Sequence, residues 1–97
     1  MTITSEQVRA ARALLRWEQK DLAGASKISL PAIKRMETVK GPLAAQARTI
    51  EAVRAAFETA GVVFIEENGG GAGVRLHKRG PIPPEIAVED LNASNDE

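Results

Sequence analysis

The sequence predicts a mainly α fold: four helices within residues 1–60, then a small C-terminal β-hairpin and an acidic tail. Three observations predict it. Apolar residues recur at helical spacing across the first sixty positions. Short breaks at residues 26–28 and at KGP (residues 40–42) cut that pattern into separate helices. Finally, two β-type stretches, VVFIE and VRLHK, flank the glycine-rich NGGGAG.

The chain has 97 residues, one domain near the lower end of what buries a self-sufficient core. It contains no cysteine, which excludes a disulfide framework and a cysteine-ligated metal site. The N-terminus has no apolar run of signal-peptide length and no segment is apolar enough to span a bilayer, so a soluble, cytoplasmic protein is expected. No cofactor and no metal are implied.

Thr4 or Ser5 can cap the first helix, and Glu6 suits its positive end. Val8, Ala11, Leu14, Leu15 and Trp17 form its apolar series, to about Trp17. Residues 18–25 make a short second helix with Leu22 and Ala23 inward. After the break, Ser29 caps a third helix. Pro31 is tolerated there, because in the first turn its missing N–H had no intrahelical acceptor. A long fourth helix follows KGP to about Ala60, with a stripe of Leu43, Ala47, Ile50, Val53 and Phe57, and Gly61 stops it. Residues 62–66 and 74–78 then pair as a hairpin across the glycines. From Gly80 the chain turns to proline and acid. PPEIAVEDL has the pattern of a brief helical turn within a loosely held tail.

Thirteen basic residues balance thirteen acidic ones, but unevenly. Residues 1–60 hold ten Lys/Arg against six Asp/Glu, and residues 61–97 three against seven. Positive charge gathered on the front half is the footprint of a polyanion partner, although mixed charge on solvated helix faces gives the same count. On a wheel of the third helix, Ile33, Met36 and Glu37 fall on one side. Pro31, Lys34, Arg35 and Thr38 fall on the other, flanked by Leu30 and Ala32. A cationic exposed face suits insertion into the major groove of DNA. With Ala23 small at the crossing and Ile28 beneath the turn, the second and third helices read as a helix-turn-helix.

At these residues the chain resembles the Cro/lambda-repressor-like (XRE-type) helix-turn-helix family, in its short form with a C-terminal β-hairpin. The segments VRAARALLRWEQKDLAGASKISLPAIKRMET and GVVFIEENGGGAGVRL carry the resemblance, which spans about residues 3–79. Arg12, Trp17, Gln19, Leu22, Ala23, Ile33 and Glu37 match together. The resemblance implies a lambda-repressor-like four-helix DNA-binding domain over residues 1–60, with residues 61–79 as a candidate dimerisation element. Gln19 matches a glutamine that binds backbone phosphate, helped by the N–H groups at the helix start. Ser29, Leu30 and Pro31 match positions facing base edges or adjacent phosphate, and Arg35 a base-reading position one turn later. Thr38 and Lys40 match a loop that meets the sugar-phosphate chain. Arg12 and Glu37 match a structural ion pair.

Two departures stand out. Lys27 occupies a turn position usually held by glycine, where the backbone is left-handed, at a cost of about 1 kcal/mol. Leu30 and Pro31 are apolar where many relatives carry polar readers, so a thymine methyl is their natural partner. Lys34 suits either phosphate contact or plain solvation. His77 has no nucleophile patterned with it, and the glycines lack the helix and Gly-Lys-Ser/Thr ending of a phosphate cradle, so no enzyme is implied.

The expected function is therefore sequence-specific, double-stranded DNA-binding transcription regulation, as a repressor and homodimer on a short palindromic operator. Recognition helix 29–38 would lie in the major groove. The alternative is a DNA-binding antitoxin whose acidic tail, residues 80–97, neutralises a partner toxin protein by folding onto it.

Overall fold

The computed structural model describes residues 2–77, which form four helices and one two-stranded antiparallel sheet. The helices are α1 (Ser5–Leu15), α2 (Gln19–Ser26), α3 (Leu30–Thr38) and α4 (Ala47–Thr59); the strands are β1 (Val62–Ile65) and β2 (Gly73–Leu76). A mainly α chain with a small hairpin is thus the architecture. Among the described residues, no helix is long and apolar enough to cross a membrane. Residues 80–97, with the helical turn expected there, and Lys78, the expected end of the second strand, lie outside the described residues.

Thr4 is the N-cap of α1. Its Oγ1 accepts the Gln7 N–H at 3.1 Å, and the Gln7 Oε1 accepts the Thr4 N–H at 2.9 Å, a reciprocal capping box. The helix ends sooner than its apolar series suggests. Arg16 turns left-handed (φ 57°), and the N–H groups of Arg16 and Trp17 donate to Ala13 O and Arg12 O, a Schellman closure. Leu14 does not join the core: it is 40% exposed. Six residues past Val8 turn the helix by about 600°, which puts Leu14 about 120° from the buried Val8 face.

The fourth helix also begins later than expected. Leu43 is buried but belongs to an extended segment, where its N–H donates to Ile3 O at 3.0 Å beside an isolated bridge between Thr4 and Pro42. That pairing holds the chain extended past Pro42, so helix hydrogen bonding starts only after Gln46. At the other end Gly61 takes φ +105°, a conformation that strains any residue with a Cβ.

The hairpin pairs Val62 with Leu76, Val63 with Arg75, Phe64 with Val74 and Ile65 with Gly73. Val62 and Phe64 face the helices and are buried. Leu76 shares their face yet remains 47% exposed at the strand end, so the expected alternation fails in β2. One core joins everything: Leu22, Ile33, Val53 and Phe57 are fully buried, and Trp17 stacks on Phe57 at 5.7 Å, which meets Phe64 edge-on at 5.9 Å. Gln7 ties α1 to the hairpin, its Nε2 donating to Gly73 O at 2.9 Å and to Ile65 O at 3.3 Å.

Candidate nucleic-acid interface

The α2–α3 connection starts from a buried serine. The Ser26 Oγ donates to Leu22 O at 2.7 Å and accepts the Ile28 N–H at 3.3 Å, closing α2 from within. Lys27 then takes φ 63° and ψ 25°, the left-handed conformation that the resemblance implies there. Ile28 packs on the core beneath the turn, and the Ser29 Oγ accepts the Ala32 N–H at 3.3 Å to start α3. Since Ser29 is exposed and its oxygen serves as the acceptor, its hydroxyl proton can still be donated outward.

Ile33, Met36 and Glu37 are buried along one side of α3. Pro31, Lys34, Arg35 and Thr38 are exposed on the other, and Leu30 is half-buried at its edge. Among the described residues neither Lys34 nor Arg35 is held in an ion pair. Thr38 is less available than its exposure implies, because its hydroxyl donates to Lys34 O at 2.8 Å within the same helix.

Glu37 organises the other side. The Arg12 Nε donates to its Oε2 and the Arg12 Nη2 to its Oε1, each at 2.7 Å, a bidentate pair with the carboxylate 4% exposed. The Arg12 Nη1 also donates to Trp17 O at 3.1 Å, so α1, its exit loop and α3 are tied at one point. Gln19 joins this network: its Nε2 donates to Glu37 Oε1 at 3.1 Å. One N–H of that amide is therefore used inside the protein, while its second N–H and its Oε1 remain for an outside group.

Lys40 is exposed on a loop fastened to the start of α1. The Glu6 Oε1 accepts the Gly41 N–H at 3.1 Å, and the Ser5 N–H donates to Gly41 O at 2.8 Å. These backbone donors, Glu6's own N–H first and then Gly41's, hold the Glu6 carboxyl below its ordinary value. Gly41 itself sits at φ +82°, which suits glycine alone at this bend.

Three features escaped the sequence reading. Gln7 was not singled out as a tie to the hairpin, although Thr-x-x-Gln is a visible capping-box pattern. Gln19 was read as a phosphate ligand alone. The start of α2 also carries two carboxylates: Asp21 Oδ2 accepts the Glu18 N–H at 2.7 Å, and Glu18 pairs with Lys20 Nζ at 3.6 Å. Among the described residues no group of three or more acidic or histidine side chains is placed to hold a metal ion.

What the arrangement offers chemically is an exposed, cationic helix face with donors at Ser29, Lys34, Arg35 and Lys40. No family model matches the chain, and no curated protein sequence matches it.

Proposed function

We propose that this chain is a sequence-specific DNA-binding regulator of the helix-turn-helix type, acting as a repressor and binding duplex DNA as a homodimer. The observation that carries the reading is the division of α3. Its outer face bears Lys34 and Arg35 without a carboxylate, while its one acid, Glu37, is turned inward and paired with Arg12. A helix of this width fits the major groove, and an arginine there can make two hydrogen bonds to guanine O6 and N7. Such a contact contributes roughly 1–3 kcal/mol of discrimination between bases.

Ser29, at the start of α3, and Lys40, in the loop beyond it, are arranged to meet phosphates on either side of the groove. The free N–H and Oε1 of Gln19 leave it able to touch the sugar-phosphate chain while anchored to Glu37. Dimerisation follows from contact number, since one module of this size reaches too few phosphates and bases for operator affinity. The hairpin, whose strand edges are unpaired with any further strand among the described residues, is the natural element to join two copies so that their α3 helices lie about 34 Å apart on one face of the duplex.

Selection of bound duplexes from a random library tests the proposal. The expected result is a two-fold symmetric consensus with half-sites about one helical turn apart. Enrichment of no sequence over scrambled competitor would end it.

A further inference from the structure

A cleft of about 220 Å³ opens between the starts of α2 and α3, lined by Glu18, Gln19, Lys20, Leu30 and Lys34. Under the DNA-binding reading, on which this inference rests, a backbone phosphate approaches the protein here, beside Gln19. The charges around that approach are unusual for a polyanion site. Glu18 stands on the wall with its side chain 73% exposed, and Lys20 Nζ lies 3.6 Å from its Oε1. Asp21 adds a second carboxylate in the first turn of α2, fixed on the Glu18 N–H. Within the cleft Glu18 thus offsets Lys20, one of the two lysines that line it. Lys34, Arg35 and Lys40, by contrast with Lys20, are in no ion pair among the described residues.

We propose that Glu18 sets the affinity for duplex by opposing phosphate at the start of α2. It acts in two ways. Its own charge repels the incoming phosphate, and it holds the Lys20 ammonium that would otherwise replace a counterion on the DNA. Both effects are blind to sequence, because the groups concerned lie at the phosphate wall and not on the exposed face of α3. Glu18 therefore lowers binding to every duplex alike and leaves the base preference to α3.

The test compares the natural chain with Glu18→Gln on a fluorescein-labelled duplex of mixed sequence, by anisotropy across a salt series. Glutamine keeps the shape of the side chain and one oxygen for hydrogen bonding. Removing one charge at contact distance in water is worth about a fivefold change in binding constant, so Glu18→Gln should bind about fivefold tighter at low salt. Its log–log salt slope should steepen by about one, as Lys20 becomes free to neutralise a phosphate. Adding Lys20→Gln to that variant should remove most of the gain. Lys20→Gln alone, which does not depend on the fold of Glu18→Gln, leaves the Glu18 charge uncompensated and should weaken binding about fivefold. Equal affinity and slope for Glu18→Gln, or unchanged affinity for Lys20→Gln alone, would overturn the role of Glu18 while leaving DNA binding intact. If neither chain binds any duplex, the DNA-binding reading fails and takes this inference with it.

Discussion

Glu37 accepts three hydrogen bonds from two other elements, two from Arg12 on α1 and one from Gln19 on α2. A carboxylate this buried persists because its donors replace the water it has lost. The intact pair adds little net stability, yet removing one partner would strand a charge. The position of Glu37 on the inward side of α3 was legible from spacing alone. The added bond from Gln19 was not, since helical periodicity says nothing of which side chains reach across a helix crossing. Lys27 shows the same limit from the other direction. The family resemblance marked it as a left-handed position, whereas Arg16, equally left-handed, stands where no glycine or turn signal pointed. At position 27 the Cβ is the source of strain, so Lys27→Gly should be more stable than Lys27→Ala by about 1 kcal/mol. Urea denaturation of the two variants measures this directly, and equal midpoints would show that the turn holds no such strain.

At the scale of elements, α3 was the most legible: Ser29 caps it, Pro31 sits in its first turn, and the inward and outward residues fall as the wheel predicts. The start of α4 was misread because Leu43 lies four residues before Ala47 and seven before Ile50, the spacing of a helix stripe. Its true partner, the backbone of Ile3, is forty residues away and invisible to any local pattern. That pairing, with the bond from Gly41 to Glu6, fastens the loop bearing Lys40 to α1. The Glu6 carboxyl is held below its usual 4.5, so the ionised form is the one that stabilises the fold. Its contribution is fully present above that value and is lost as pH falls through the lowered folded value. The thermal midpoint of the natural chain should therefore exceed that of Glu6→Gln at neutral pH, and the gap should close as the pH is taken down through the lowered folded value. A gap that stays constant with pH would mean that Glu6 does not hold the loop by charge.

For the whole molecule, helices and hairpin share one core, from Trp17 through Phe57 to Phe64. The hairpin has a second face. Val63 and Ile65 point away from Val62 and Phe64 and are only half-buried, opposite Arg75 and Gly73. If two copies join through this face, replacing Val63 and Ile65 by aspartate should yield a monomer in sedimentation equilibrium and weaken duplex binding at least tenfold, with the helical signal retained. An unchanged dimer would move the interface elsewhere. The sequence could announce the hairpin from its β-branched stretch and glycines, but not which face the helices would cover. That depends on where α1 and α4 pack.

The central claim is that the outer face of α3 reads base edges. It is tested most directly by selecting duplexes with Arg35→Ala beside the natural chain. The account predicts that the variant's consensus loses its preference at one base pair in each half-site and keeps the rest. An identical consensus from the two proteins, differing in affinity alone, would contradict it.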